Sequence, residues 1–463
     1  MRILLFFVFF VIAFASKAET ITISNIEVKG NKHTKKAIIL REVLFEVGDT
    51  ISLEQLPALL DQSKKLLINL ALFNTVGINI SDLDLNQKKA KISIEVSETW
   101  YIYPFPIFEW VDRNFNVWWV EQKRSLKRVN YGMEFKHLNL TGRKDPLAMK
   151  LKAGYSPQLN LKYTRPYINR AKTIGMDFSI SFEKRKEINY ATVDNHLVFL
   201  KNEDGFLYRR FSTELAFSFR PKIKKRHRLA LAYNFRQINP IVRQEYNPLF
   251  FTSGKDEERS FSMSYYFTYE NRDIIAYPMH GSFFDLKITK AGLGIFNGRN
   301  WLAIAIGYKF YRQLSPRWST GFETQGKYSV IRKQLPYKDG RGLGFSGRVL
   351  HGFEYYVIDG LDMALLKTFF RYNFFDRTIN LGRLMPIKAF RILPIRLYLK
   401  LHNDIGIVNN PFGTNENTLN GKLLWGGGPG LDIVLYYDFI FRIEYSFNHL
   451  GDKGIFLHFN TGF

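Results

Sequence analysis

The stretch 439–447 of the chain reads FIFRIEYSF. Its odd-numbered positions are all aromatic or aliphatic, whereas its even-numbered positions include Arg442, Glu444 and Ser446. Because successive side chains of a β-strand point to opposite faces, this alternation predicts a strand with one apolar face and one charged face. Such a strand fits a boundary between an apolar and a polar environment.

The same period-two pattern recurs through 99–463. We identify sixteen candidate strands, near 103–110, 129–138, 147–155, 158–166, 173–183, 208–220, 226–237, 259–270, 282–290, 301–312, 318–330, 364–374, 394–405, 423–436, 438–448 and 453–463. Soluble sheets also alternate, but they seldom sustain so many aromatic-rich strands. In lipid an open sheet edge leaves backbone groups unpaired. The pattern therefore predicts a 16-stranded antiparallel transmembrane β-barrel with a polar lumen.

The composition has two interpretations. The formal charge is +24, and aromatic residues make up 16% of the chain. A basic, aromatic protein can bind nucleic acid. In a barrel, the same residues form aromatic girdles and place Lys and Arg in the lumen and near lipid phosphates. The periodicity favours the barrel, and we expect no nucleic-acid partner.

The N-terminus resembles a secretion signal. Arg2 precedes an apolar run from Ile3 to Phe14, and Ala18 offers a small residue for cleavage. A membrane anchor is the alternative, but a spanning helix needs about 20 apolar residues. We expect 1–18 to be a signal peptide. The chain has no cysteine, which excludes a lipoprotein anchor, disulfides and thiolate metal sites.

Residues 19–98 predict a small α/β domain with the element order β-α-α-β-β. Thr34 is a candidate cap for the first helix, and Ser52 with Gln55 is a candidate capping box for the second. Leucines at helical spacing follow from Leu56 to Leu70. Two further strands are expected at 73–80 and 91–96.

Several motifs resemble the BamA/TamA family of outer-membrane insertases. The segments 26–34 (IEVKGNKHT) and 72–76 (LFNTV) resemble a polypeptide-transport-associated (POTRA) domain. The family's turn signature is matched by Asn271, Arg272, Asp273, Tyr277, Pro278 and Gly281. Its extracellular lid loop corresponds to 331–363, with the motif at Arg348, His351, Gly352, Phe353 and Glu354. The segment 427–463 resembles the end of the family's barrel.

The resemblance implies a periplasmic N-terminal domain and a barrel in the bacterial outer membrane. The implied function is insertion or translocation of other outer-membrane polypeptides, by strand pairing at the seam between 103–110 and 453–463 and at a POTRA edge such as 91–96. The implied partners are client polypeptides and membrane lipid, including lipopolysaccharide, with periplasmic chaperones or accessory lipoproteins as further candidates. A dedicated protein exporter and a closed structural or pore-forming surface barrel stay open as alternatives.

His351 stands where the family's lid motif has an arginine that enters the lumen. Asp404, Asp432 and Glu444 lie on later candidate strands and are the carboxylates expected to receive it. Because histidine is shorter than arginine, we expect Arg348 to supply the missing guanidinium. The alternative is a mobile loop outside the lumen.

The last strand ends on an aromatic residue. Leu457, Phe459 and Phe463 share one face, as in the C-terminal strands that barrel-assembly machinery recognises on its clients; a plain last strand without signal value is the alternative. The Gly342, Gly344 and Gly347 repeat has no strand-turn-helix context, so it predicts a loop. The histidines lack metal-ligand spacing, so we expect no metal and no cofactor. An enzyme is the least supported interpretation.

Overall fold

A computed structural model describes residues 19–110, 126, 129–296, 299–345, 347–386, 391–413, 416–435 and 439–461, without the side chains of Trp110 and of 459–461. The predicted signal peptide and Phe463 lie outside these ranges. No helix in the described part of the chain is long and apolar enough to cross a membrane.

The N-terminal domain is a four-stranded sheet with two helices. Its elements are β1 (Thr20–Lys29), α1 (Lys36–Glu42), β2 (Thr50–Ser52), α2 (Leu56–Ile68), β3 (Phe73–Asp84) and β4 (Lys89–Glu98). The strand order is β2-β1-β4-β3, with β1 and β4 parallel. Ile23, Ile39, Leu67 and Ile92 are fully buried between the helices and the sheet. This burial of one apolar face per element holds the domain together.

Three local details differ from the sequence-based expectation. A short additional strand, β2, pairs with β1 where no strand was predicted. Helix α2 begins at Leu56, with Gln55 as its N-cap residue and no side-chain cap, so Ser52 forms no capping box. Thr34 does not cap α1; its hydroxyl instead contacts the Tyr101 hydroxyl at 2.9 Å.

The prediction that 91–96 forms an edge strand of this domain is wrong. Strand β4, which contains 91–96, lies between β1 and β3 and pairs with both. The edges of the sheet are the three-residue β2 and the twelve-residue β3. A segment that adds to this sheet by backbone pairing therefore meets β3, the only long edge in the described part of the domain.

The remainder of the chain forms the predicted 16-stranded antiparallel β-barrel. Its strands are β5 (Ile102–Trp110), β6 (Val129–His137), β7 (Leu147–Gly154), β8 (Gln158–Arg165), β9 (Ile174–Arg185), β12 (Tyr208–Lys222), β13 (Lys225–Ile238), β14 (Glu257–Glu270), β15 (Gly281–Ala291), β16 (Trp301–Gln313), β17 (Trp318–Ser329), β20 (Asp362–Asn380), β21 (Ile392–Asn409), β22 (Leu424–Leu435), β23 (Phe439–Asn448) and β24 (Lys453–Thr461). Each pairs with its neighbour in chain order. Both the class and the strand count were predicted correctly.

The connections contain small elements of their own. These are the hairpins β10 (Glu187–Val193) with β11 (His196–Lys201) and β18 (Arg341–Leu343) with β19 (Ile358–Asp359), a π-helical turn (Val242–Tyr246) and a 3₁₀ turn (Gly382–Leu384). Both hairpins lie at one end of the barrel, which we call the distal rim. The other end, where the N-terminal domain enters β5, is the proximal rim.

Within the segment 375–393, residues 375–380 and 392–393 extend two barrel strands. β20 continues to Asn380 and pairs with β21 from Ile392, so the hairpin projects past its neighbours at the proximal rim. A register shift between Asn373 and Phe375 marks a β-bulge. The extra residue reverses the phase of the alternation, and the predicted strand 364–374 ends at this bulge.

Candidate functional site

The lid loop enters the barrel from the distal rim. It connects β17 to β20, and its apolar side chains pack against the inner wall. The buried cluster contains Leu343, Leu350, Phe353, Ile358, Met363, Leu365, Val408, Leu419 and Leu424. Because these residues come from the loop, from β20 to β22 and from the connection after β21, the cluster anchors the loop to the wall.

Glycine makes room for the loop at two positions. A side chain at Gly426 of β22 would bring its Cβ to 2.0 Å from the His351 carbonyl oxygen. Gly352 adopts a φ of +85°, which side chains disfavour, and its carbonyl accepts a hydrogen bond from the Asn448 side chain at 2.6 Å. The carbonyl of His351 therefore lies close to β22, and the carbonyl of Gly352 is bonded to β23.

His351 occupies the centre of the lumen site. Its Nδ1 lies 2.7 Å from Oδ2 of Asp404, and its backbone N–H donates to the same oxygen at 3.1 Å. Its Nε2 lies 3.2 Å from Oε2 of Glu444. The imidazole therefore contacts two carboxylates, as a guanidinium would, and it packs on the ring of His402 at 4.3 Å.

All three predicted carboxylates are buried in the lumen wall. Asp404 and Glu444 contact His351, whereas Asp432 lies farther from the loop. Lys400 joins the two groups, because its ammonium contacts Glu444 and lies 3.4 Å from Asp432. Lys367 lies 3.5 Å from Asp404. Each buried charge thus has an opposite charge nearby, as burial in a low-dielectric site requires.

Arg348 does not take the place of the family's arginine. Its guanidinium donates to the Arg341 carbonyl at 3.1 Å, inside the loop itself. Among the described residues, Arg348 forms no ion pair with Asp404, Asp432 or Glu444. The expectation that Arg348 replaces the lid guanidinium is therefore corrected: His351 makes the contacts. Glu354 is also outside the ion-pair network, and neither of its buried carboxylate oxygens has a hydrogen-bond partner.

The turn signature folds into the same lumen from the proximal rim. Tyr277 is buried, its hydroxyl donates to Asp432 at 2.8 Å, and its ring packs on Tyr398 at 4.9 Å. Arg371 of β20 lies over the Tyr277 ring at 4.4 Å and donates to the Pro278 carbonyl at 2.7 Å. The turn is thereby attached to the opposite strands β20 to β22.

The other signature residues shape the turn. Arg272 pairs with Glu270 and lies over the Phe283 ring at 4.8 Å. Asp273 accepts the Met279 backbone N–H at 3.0 Å. The backbone of Asn271 donates to Ser282, immediately after Gly281. These local contacts fix the direction in which Tyr277 leaves the rim.

A continuous path of contacts joins the two rims. It runs from Tyr277 through Asp432, Lys400 and Glu444 to His351. At the proximal end, the side chain of Asn69 in the N-terminal domain bonds the backbone of the turn: its amide donates to Asp273 at 2.8 Å, and its oxygen accepts from Ile275 at 2.9 Å. The lid and the N-terminal domain are therefore linked through the lumen.

The N-terminal domain is also fixed to the proximal rim by a buried ion pair. Glu42, at the end of α1, accepts two hydrogen bonds from the guanidinium of Arg220 in β12. The Tyr167 hydroxyl donates to the same carboxylate at 3.0 Å. The Arg41 guanidinium donates to the Lys172 and Arg220 carbonyls at 3.1 and 3.2 Å. This arrangement is bidentate and shielded from water, so it is the strongest kind of protein ion pair.

The environment of Glu42 shifts its acidity. Burial alone would raise the pKa of the Glu42 carboxyl, but the hydrogen bonds and charge of Arg220 outweigh it and lower the pKa from 4.5 to about 2. Lys144 and Arg41 contribute in the same direction. A fall of this size corresponds to roughly 3 kcal/mol in favour of the docked, ionised state at neutral pH.

We therefore expect docking of the N-terminal domain to weaken in acid. Because the docked pKa lies below the free value, the stabilisation is complete above about pH 4.5 and is lost as the pH falls from there towards 2. Spin labels on Lys64→Cys and Leu314→Cys would report the distance between domain and rim. The Glu42→Gln variant is the control: its difference from the parent should vanish near pH 2, and a constant difference would contradict the assignment.

The first and last barrel strands lie at the two ends of the sheet order. No backbone ladder joins β5 to β24 in the described part of either strand, whereas every other neighbouring pair has one. On β24, Ile455 and Leu457 are exposed on the outer face. The structure describes neither the side chain of Phe459 nor Phe463. The recognition signal expected in the C-terminal strand therefore stays a prediction.

Comparison with known proteins identifies the family. A model of the Omp85 superfamily domain matches residues 139–358, and a POTRA model, described as a surface antigen variable number repeat, matches residues 21–99. Residues 139–358 are thus an Omp85 superfamily domain, and residues 21–99 are a POTRA domain. No curated protein sequence matches it. Omp85 relatives are outer-membrane barrels with POTRA domains, and the two matches support an outer-membrane location and a role in polypeptide insertion or translocation.

Solved structures agree on the fold. The chain is similar to the crystal structure of BamA from Haemophilus ducreyi lacking POTRA domains 1–3, with a TM-score of 0.52, 14% identity and coverage of 95% of this chain and 84% of that one. It is also similar to CdiB from Acinetobacter baumannii, with a TM-score of 0.50, 12% identity and coverage of 96% and 74%. At such identities the likeness concerns the fold alone.

Proposed function

We propose that this Omp85 protein inserts client polypeptides into the outer membrane by pairing their strands with the barrel seam between β5 and β24. The supporting observation is that these two strands end the sheet without a described ladder between them. An incoming strand carries unpaired backbone groups, which are costly in lipid. Pairing at the seam satisfies them.

The N-terminal domain is proposed to lie in the periplasm and to receive clients first. Its long edge strand, β3, has exposed residues along its second half. An extended client segment can add to this edge through backbone hydrogen bonds. The ion pair of Glu42 with Arg220 would then hold that edge at a fixed position beside the proximal rim.

The occupied lumen argues against a passive pore. The lid enters from the distal rim, the Tyr277 turn enters from the proximal rim, and a cavity of ≈ 440 Å³ lies between them. A water-filled conduit would need both to leave. A dedicated exporter remains the second candidate, and a path for one partner chain would likewise require both the lid and the Tyr277 turn to leave the lumen.

The seam is testable with introduced cysteines, since the chain has none of its own. Pro106→Cys on β5 combined with Phe459→Cys on β24, with neighbouring pairs along the same strands, would bridge the seam where the geometry permits. We expect the oxidised protein to stay folded and to lose insertion of a client barrel into proteoliposomes, with recovery on reduction.

The matched control is Leu215→Cys with Leu231→Cys. These exposed residues face each other across the paired strands β12 and β13, so a bridge there should leave activity unchanged. Full activity of the seam-bridged protein would rule out lateral opening. Retained export of a client with loss of insertion would favour the exporter.

A further inference from the structure

Three potential metal ligands converge in the lumen. They are Nε2 of His351 in the lid loop, Oε2 of Glu444 on β23 and Nε2 of His458 on β24, and all lie within 4.8 Å of one another. Both histidine nitrogens are 3.2 Å from the glutamate oxygen. Three separate elements thus present one donor atom each to the same point.

Two of the three separations are close to those of a tetrahedral metal site, and the third, between the two histidine nitrogens, is at most 4.8 Å. Zinc bonds of about 2.0–2.2 Å to nitrogen and oxygen place neighbouring ligand atoms roughly 3.3–3.5 Å apart. The observed 3.2 Å contacts from Glu444 to His351 and His458 are close to this edge length. Two histidines and one carboxylate form a ligand set that proteins use for zinc with one open position.

The hydrogen bonds around the cluster favour a cation at its centre. Asp404 lies 2.7 Å from Nδ1 of His351, so this nitrogen carries the proton in a neutral ring and Nε2 presents its lone pair. A carboxylate behind a ligating histidine is the usual supporting contact in zinc sites. Oε2 of Glu444 and Nε2 of His458 are both buried without a hydrogen-bond partner, which a shared cation would satisfy.

The nearest competing cation is Lys400. It contacts Oε1 of Glu444 and so leaves Oε2 to the histidines. The alternative to a metal is a doubly protonated His351 that donates to Asp404 and Glu444. That alternative accounts for the contacts of His351, but it gives Nε2 of His458 no hydrogen bond of normal geometry, although Oε2 of Glu444 lies 3.2 Å away.

We propose that His351, Glu444 and His458 bind a divalent transition metal of the zinc class, with a water molecule in the fourth position. The cluster borders the lumen cavity of ≈ 440 Å³, which leaves that position open. Because His351 belongs to the lid and His458 to the last strand, the metal would fasten the lid to β24. This proposal does not depend on the proposed insertion activity.

The test uses the full mature chain, folded in detergent and stripped of metal. Titration with Co²⁺, followed by its visible absorption, and competition with Zn²⁺ give the stoichiometry and affinity. We expect one metal per chain in the parent. His458→Gln should weaken binding by roughly a hundredfold or more, whereas His196→Gln, on the distal hairpin β11, should bind like the parent.

His351→Arg separates metal binding from lid packing. Arginine can still pair with Asp404 and Glu444, but it cannot ligate the metal. We expect this variant to keep the parent's heat-modifiability on gels and to lose Co²⁺ binding. Zinc should raise the unfolding temperature of the parent and of His196→Gln only. Absence of one-to-one binding in the parent, or equal affinity in the parent and in His458→Gln, would overturn the proposal in favour of the protonated histidine.

Discussion

Replacing Arg220 by methionine is expected to release the N-terminal domain from the barrel. The variant leaves the Glu42 carboxylate buried against the rim with only the Tyr167 hydroxyl as a close donor, and Arg41 3.7 Å away. Breaking a buried ion pair by removing one partner costs about 3–5 kcal/mol. Asn69 and Arg41 keep their hydrogen bonds to the rim, each worth about 1 kcal/mol. Because no single one of these bonds offsets the lost ion pair, the docked state should lose most of its population.

Distance measurements between spin labels at Lys64→Cys and Leu314→Cys would show this release as a broad distribution in place of a single separation. The barrel itself should remain folded, because Arg220 lies at the rim. Arg243→Met is the matched control, since Arg243 pairs with Asp256 in an exposed position at the distal rim. A single, unchanged separation in the Arg220 variant would show that the ion pair does not hold the domain.

A double variant distinguishes the pair from the surrounding packing. Glu42→Gln combined with Arg220→Met removes both charges and leaves neither one buried alone. We therefore expect docking to recover partly relative to Arg220→Met, by a coupling energy of about 1–3 kcal/mol. Strictly additive effects would mean that the two side chains act independently.

The barrel could be predicted because every strand has one face in lipid and one face in the lumen, so apolar and polar residues alternate with a period of two in each strand. Charges such as Arg442 and Glu444 must face inward, and apolar residues such as Phe441 must face out, so each strand carries its own signal. The signal failed only where a bulge near Phe375 reversed the phase. A local pattern therefore sufficed for the number of strands and for nearly all of their bounds.

The N-terminal domain was less predictable because its strand order is not local. The β-hairpin β3–β4 is visible in the sequence, but the parallel pairing of β4 with β1 joins residues about as far apart as the domain allows. That pairing makes β4 central and leaves β3 at the edge. No spacing within 73–98 could have revealed it.

The sequence allowed several residues of the lumen site to be predicted, but not the contacts between them. The resemblance singled out His351 and the carboxylates, and the strands placed the acids. The roles of Lys400, Lys367 and His458 were missed, because contacts across a lumen join distant segments. A signal was nevertheless present: a lysine on the inward phase of a strand is costly unless an acid lies opposite.

His351→Ala is expected to loosen the lid, and Arg348→Ala is expected to have little effect. The first change removes one side chain from two buried carboxylates: Asp404 then keeps Lys367 and the backbone N–H of residue 351, and Glu444 keeps Lys400 and His458. Its cost should be about 2–4 kcal/mol, between that of an unsatisfied buried group and that of an unpaired buried charge. The second removes one hydrogen bond to the Arg341 carbonyl, worth about 1 kcal/mol or less.

His351→Arg provides the rescue that a purely steric role would not. Arginine restores the family's residue, and its planar guanidinium can donate to both carboxylates at once. Protease sensitivity of 331–363 and heat-modifiability on gels would rank the variants: the parent, His351→Arg and Arg348→Ala protected, His351→Ala cleaved. Cleavage of Arg348→Ala ahead of His351→Ala would mean that the loop is held by its own internal contacts. The backbone of His351 lies directly against β22, because residue 426 is a glycine and has no side chain to collide with it. We expect the contacts of His351 with Asp404 and Glu444 to determine whether the loop keeps this position.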